Sequence, residues 1–310
     1  MQPSSQVSVR IDLAVMRRNV ESIARTCCVP IIAVVKADAY GLGIEPVTQA
    51  IADLVESWCV FSFAEAASVE LWGKTAKPSL MLGPPVKEDV GEYIAQRVRP
   101  SVWDAQRAAA LRAARPILCV DTGMQRFACP ADHVDAVLKA GNCDEAFTHA
   151  TSIERVEQFL GWVGNRDLKL HAAGSSLLDE PRARLDAVRP GLAIYRGAAR
   201  VCARLIEVRD THGPAGYSGF SATRHGVIAA GYSNGLRTGP CLVNGQPARI
   251  VEVGMQSSFV ELDVKDRAGD EVVLLSDGLT ESQVAAEWKT SPQEALMRLC
   301  GAGIRTYVEA

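Results

Sequence analysis

The sequence predicts an α/β protein in two parts: a (β/α)8 TIM-type barrel over residues 1–197 and a mostly β domain over residues 198–310. Three observations lead there. Short apolar runs recur between residues 31 and 195, and the stretches between them carry the apolar period of amphipathic helices. Lysine, histidine and arginine fall repeatedly at the carboxyl ends of these runs. After Gly197 strand patterns continue without long helices, separated by turn signals such as Asn244-Gly245 and Ala268-Gly269-Asp270.

Taken in order, residues 8–13 read as a strand, with Asp12 placed to cap a helix over 13–25. Residues 6–12 are expected to pair with the second domain. Eight barrel strands are predicted at 31–35, 59–63, 80–82, 99–102, 117–120, 145–148, 168–171 and 188–195, with helices such as 45–56 and 103–114 between them. In the second domain strands are expected at 201–208, 226–230, 248–253, 259–264 and 271–275. A helical stretch over 280–299 and a last strand over 304–308 follow.

The most informative stretch is IIAVVKADAYGLG, residues 31–43. Five apolar residues ended by a turn read as a buried parallel strand, which puts Lys36 at its carboxyl end. An ammonium is costly to desolvate there, so the lysine suits a role as amine nucleophile. In a (β/α)8 barrel functional groups project from the carboxyl ends of the strands. Asp121-Thr122-Gly123, His149, His171 with Ser175, and Arg189 hold the corresponding positions after the fifth, sixth, seventh and eighth runs.

Composition excludes several classes. With 33 basic and 36 acidic residues the net charge is −3, which offers no excess of cations for nucleic acid or an anionic membrane. Nine cysteines lie scattered, without zinc-ligand spacing and in odd number, so neither a metal site nor a complete disulfide framework is expected. No apolar run reaches the ~18 residues of a membrane span, and the start MQPSSQVSVR lacks the apolar core of a signal peptide. A cytoplasmic protein is expected.

The stretch around Lys36 resembles the cofactor-lysine signature of the alanine racemase family. The resemblance continues in order through VDTGMQRFAC, FTHATS, LHAAGSS, VRPGLAIYRG, AAGYSNGLR and VEVGMQS. It implies an isomerase that uses pyridoxal 5′-phosphate to racemise alanine or another small amino acid. Lys36 would hold the cofactor and act as base on one face of the α-carbon, with Tyr232 of a partner subunit acting on the other, which implies a homodimer. Tyr40, Ser175, Gly191 and Leu192 would hold the phosphate. His149 would lie against the cofactor ring and Arg189 would face its nitrogen. Arg126 and Met255 would bind the substrate carboxylate. His171 would link Tyr232 to Arg189, because a phenol at its ordinary value near 10 is a poor base.

Several positions depart from the family pattern. Asp38 replaces an asparagine, Leu42 a histidine, Gly174 an asparagine, and Asn234 and Gln256 aspartates. Cys119 stands where a carbamylated lysine often pairs with the arginine, and Gln293 where a phosphate-binding tyrosine is usual. A catalytically impaired cofactor-binding homologue, acting as a regulator or partner, is therefore the alternative reading. A single-domain pyridoxal-phosphate homeostasis protein would lack the second domain and Tyr232. A basic amino-acid decarboxylase would carry a glycine-rich phosphate loop that is not visible here.

Overall fold

The computed structural model describes residues 7–85 and 90–309, and these fall into two compact units. One comprises the described residues of 1–15, 40–42 and 195–310; the other comprises those of 16–39 and 43–194. Strand β1, Val7–Asp12, belongs to the first unit. Asp12 Oδ1 accepts the Val15 amide at 3.0 Å and so caps the helix Leu13–Cys27.

The second unit is the (β/α)8 barrel. Its strands are β2 Ile32–Val34, β3 Ser57–Val60, β4 Ser79–Met81, β5 Val98–Val102, β6 Ile117–Cys119, β7 Glu145–Phe147 and β8 Lys169–His171, parallel and hydrogen-bonded in that order. They are short and almost wholly buried, as strands covered on both faces must be. The segment 186–190 closes the ring. On one side Ile32 N donates to Val188 O at 2.9 Å and Val34 N to Pro190 O at 2.9 Å; on the other Arg189 N donates to Ala173 O at 2.8 Å.

The eighth strand expected over 188–195 is therefore corrected: only its start lies in the ring, and Leu192–Tyr195 is helical. Pro190 has no amide hydrogen to continue a ladder, and Ser175 Oγ accepts the Gly191 and Ala193 amides at 3.0 and 3.1 Å. The second run, 59–63, ends earlier than expected because a helix cap intervenes. Ser62 and Glu65 form a reciprocal cap that starts the helix Phe63–Ser68, which takes residues 61–63 out of the strand.

The first unit is mostly β. Strands β9 Ala199–Asp210, β10 Arg224–Ile228, β11 Gly239–Val243, β12 Gln246–Val253, β13 Ser258–Glu261 and β14 Glu271–Leu275 form an antiparallel sheet in the order β10-β13-β12-β11-β14-β9, and a β9–β10 pairing closes it. Shifts of register at residues 227–228, 250–252 and 273–275 supply the bends that closure needs. β1 adds to β9, and β15, Ile304–Val308, runs parallel to β1. Gln6, which was expected to pair here, lies outside the described residues.

β11 was not expected, because Gly239 and Pro240 read as breakers; its alternating burial and the two-residue Asn244-Gly245 turn, both residues at positive φ, make the hairpin. The helical stretch over 280–299 proves to be two helices, Glu281–Trp288 and Pro292–Cys300. They are parted at Lys289, whose φ is 52°, and Ser291 caps the second with Pro292 in its first turn.

Two glycines of opposite surroundings test the packing. A Cβ on Gly303 would lie 2.1 Å from Val7 O, so Gly303→Ala forces β15 from β1 and lowers unfolding free energy by about 1–3 kcal/mol. A Cβ on Gly161, in the helix Ile153–Val163, meets nothing within 4 Å, so Gly161→Ala raises it by about 0.5–1 kcal/mol. Urea titrations of both variants check the two signs.

Candidate active site

β2 delivers Lys36 to the carboxyl end of the barrel, where the backbone takes an uncommon course. Ala37, Asp38, Ala39 and Tyr40 all have φ between 52° and 58°, one turn of left-handed helix. Each such residue costs about 1–2 kcal/mol without compensation. Within the barrel unit the turn is held by Ala39 N donating to Val35 O at 2.9 Å and Gly43 N to Asp38 O at 2.9 Å. Ile44 N donates to Asp38 Oδ1 at 2.8 Å. Glu65 accepts the Ala37 amide at 3.0 Å on one oxygen and the Phe61 amide at 2.6 Å on the other. Lys36 is half-buried, and no hydrogen bond or ion pair engages its amine among the described residues.

Around it the barrel rim is cationic. Arg189, Lys36 and Arg126 are the charged neighbours of His149; desolvation by the surrounding protein and then these three charges push it down to about 4. Arg126 is exposed and has no side-chain partner among the described residues. Asp121 accepts the Gly123 and Gln125 amides at 2.8 and 3.0 Å, which shapes the loop that carries it. Cys119 is buried, and burial pushes its thiol up to about 12, so it offers Arg126 no anion.

Arg189 is buried. Its Nη2 donates to Thr148 O, and its guanidinium lies 4.5 Å from the centre of the Phe147 ring. Burial lowers its pKa, and its Nε has no partner among the described residues. Ser175, with the Gly191 and Ala193 amides turned onto its oxygen, adjoins Leu192 at the start of the next helical turn.

His171 is fully buried and its pairing differs from the expected one. Nε2 lies 2.8 Å from Glu145 Oε1, the ring stacks on Phe147, and no hydrogen bond joins it to Arg189. Burial pushes it down to about 4, so it is neutral near pH 7. Against desolvation, the hydrogen bond with His171 and then the charge of Arg99 hold Glu145 below its ordinary carboxylate value. Sequence reasoning counted Glu145 only as a strand residue. An acid inside a buried apolar run, two residues before an aromatic, was the available signal, because buried charges must be paired.

Tyr40, Tyr232 and Met255 belong to the other unit. Tyr40 packs 5.0 Å from Tyr195. Tyr232 is 57% and Met255 62% exposed, side by side on two loops tied together: Tyr232 N donates to Gly254 O at 2.9 Å and Ser233 N to Met255 O at 3.1 Å. Asn234 accepts the Gly231 amide at 3.1 Å and donates to Ala302 O at 2.9 Å, a double role that the family's aspartate could not fill.

Residues 11–199 match the alanine racemase N-terminal domain and residues 212–307 its C-terminal domain. The chain belongs to the alanine racemase family. It is 30% identical to the alanine racemase of Mannheimia succiniciproducens over 97% of this chain and 99% of that protein. The crystal structure of the biosynthetic alanine racemase of Pseudomonas aeruginosa covers 99% of this chain, and the chain covers all of that structure, at 25% identity and a TM-score of 0.88. An alanine racemase structure from Bartonella henselae, 21% identical with a TM-score of 0.85 over 99% of this chain and 100% of that one, has covalently bound pyridoxal phosphate.

Family membership makes the substituted positions readable. Asparagine and aspartate both tolerate left-handed backbone, which explains Asp38 in the turn after Lys36. Gly174 leaves room, since a Cβ there would come no closer than 3.9 Å to Arg189 O. Gln293 is exposed on the last helix.

Asp38→Asn should leave stability within about 0.5 kcal/mol, while Asp38→Val should cost about 2 kcal/mol from the wrong φ and the lost cap; denaturant midpoints decide. The histidines give a pH test. A folded-state His171 near 4 against an ordinary 6.5 binds fewer protons than the unfolded chain between those values. Its contribution is complete above pH 6.5 and is lost as pH falls toward 4. His171→Asn should flatten that part of the stability profile.

Proposed function

We propose that the protein is a pyridoxal 5′-phosphate-dependent alanine racemase. The observation that carries this reading is the gathering of Lys36, His149, Arg126 and Arg189 on one barrel rim, in a chain that matches alanine racemases along its length. The full-length match to enzymes does not favour the regulatory alternative.

The residues suit the cofactor. Arg189 Nε–H is a buried donor without an acceptor, which fits a ring nitrogen lone pair. Ser175 Oγ already accepts two amides, so its own proton remains to be given to a phosphate oxygen. Tyr40 and the backbone of Gly191 and Leu192 would complete the phosphate set, and His149 would lie against the ring. Bound there, the cofactor withdraws electrons and makes the α-proton of an amino acid removable.

Every other step belongs to the chain. Lys36 holds the cofactor and moves the proton on one face of the α-carbon. Tyr232 of the C-terminal domain moves it on the other face. Arg126, which has no carbamate partner, and the Met255 backbone hold the substrate carboxylate. Arg189 keeps its own protons and so does not protonate the ring nitrogen, which favours return of the proton to the α-carbon. The high exposure of Tyr232 and Met255 supports their use by a second copy, in a homodimer with shared sites. The reading carries a cytoplasmic location, where nine thiols stay reduced. No helix among the described residues is long and apolar enough to cross a membrane.

The test is α-proton exchange and loss of circular dichroism of L-alanine in deuterated water. Wild type should do both with the cofactor present. Lys36→Ala should lose the cofactor's visible band together with activity, and Tyr232→Phe should keep the band but slow racemisation by about 10²–10⁴-fold. Absence of exchange by the wild type with any small amino acid would overturn the proposal.

A further inference from the structure

The barrel interior holds a column of side chains behind Arg189, among them Arg99 and Glu145, to which the proposed reaction gives no role. Glu145 and Phe147 lie two apart on β7, and His171 on β8 is in register with Phe147. Arg99 donates to Glu145, and Glu145 is 2.8 Å from His171 Nε2. The His171 ring stacks on Phe147 at 5.4 Å and 6°. The Arg189 guanidinium lies over the same Phe147 ring and donates to Thr148 O and Ala172 O, just beyond the ends of β7 and β8. A packed path thus runs from Arg99 through Glu145, His171 and Phe147 to Arg189.

Two of the buried side-chain atoms without a partner among the described residues lie on this path: His171 Nδ1 and Arg189 Nε. A carboxylate only accepts, so a neutral His171 must carry its hydrogen on Nε2, which leaves Nδ1 with a lone pair. Were the hydrogen on Nδ1 instead, the buried donor would add to the positive field of Arg189, and Nε2 would set a lone pair against the carboxylate. The Glu145 carboxylate is taken up by hydrogen bonds from His171 and Arg99, and it reaches Arg189 only through its charge.

We propose that Glu145 is a positioning residue for Arg189: it locks His171 in the Nε2–H form and so keeps a neutral ring, with its acceptor on Nδ1, stacked on the Phe147 ring that the buried guanidinium also packs against. The proposal rests on the racemase reading for its catalytic consequence but not for its structural claim. Arg189 held in this way stays at the ring nitrogen, and a shifted Arg189 leaves that nitrogen open to protonation. The proton would then go to the cofactor, rather than back to the α-carbon, more often than it does with Arg189 in place. In that abortive outcome the amino group stays on the cofactor and water hydrolyses the rest to the keto acid.

Nitrogen NMR of wild-type protein near neutral pH measures the His171 form directly. A hydrogen on Nε2 alone is expected; one on Nδ1 or on both nitrogens overturns the proposal, whatever the protein's activity. E145Q, of the same shape, can donate as well as accept and should give mixed His171 forms. In its holoenzyme, keto acid formed per racemisation should rise about tenfold, the factor that one misplaced hydrogen bond is worth. A folded E145Q that lowers both rates together, with an unchanged ratio, assigns Glu145 a merely structural role and overturns the proposal. If wild type with cofactor racemises nothing, the racemase reading fails, and the His171 form in wild type and E145Q still decides the structural claim.

Discussion

Lys36 has to be presented at one fixed point of a barrel rim, and the chain achieves this with backbone that proteins ordinarily avoid. Four successive residues beyond it wind left-handed, against a preference of about 1–2 kcal/mol each. Such a turn persists only where its surroundings leave no alternative. Glu65 supplies part of that constraint with a single carboxylate that also caps its own helix and fixes the end of β3. In the other unit, residues 41 and 42 are held by β15, whose Arg305 and Tyr307 donate to their carbonyls at 3.1 and 3.0 Å. Within the barrel unit, the short strands and the buried apolar run before Lys36 serve this one placement.

Electrostatics complete the rim. Lys36, Arg126 and Arg189 gather there around His149, while the nearby carboxylates of Asp38, Glu65 and Asp121 are turned onto backbone amides, and Glu145 is occupied deeper in the barrel by His171 and Arg99. A rim of this kind favours an anionic cofactor and a carboxylate substrate, because each anion that binds relieves repulsion among the cations. Replacement of the usual modified lysine by Cys119 sharpens the effect, since a neutral thiol leaves Arg126 without a counter-charge.

Much of this was legible in the sequence because parallel barrel strands are covered on both faces and announce themselves as apolar runs. Lys36, Ser175 and Arg189 could be placed at strand ends on that basis. β11 was hidden by Gly239 and Pro240, which look like breakers but suit a strand whose next residues turn sharply at Asn244-Gly245. The helical turn at Leu192–Tyr195 was hidden because its apolar residues read equally well as strand; the deciding amides are those taken by Ser175, sixteen or more residues away. Glu145 escaped as a functional candidate because its meaning lies in two partners from other strands, Arg99 and His171. Tyr232 and Met255 had no local signal at all, and only the resemblance singled out two exposed loop residues.

The central claim is that one site is assembled from Lys36 of one subunit and Tyr232 of another. Co-expression of the Lys36→Ala and Tyr232→Phe chains tests it most directly, since each variant alone is inactive or nearly so. With random pairing, half of the dimers are mixed and each mixed dimer has one of its two sites intact, so roughly a quarter of wild-type activity should return. Activity no higher than that of the separate variants would contradict a shared site.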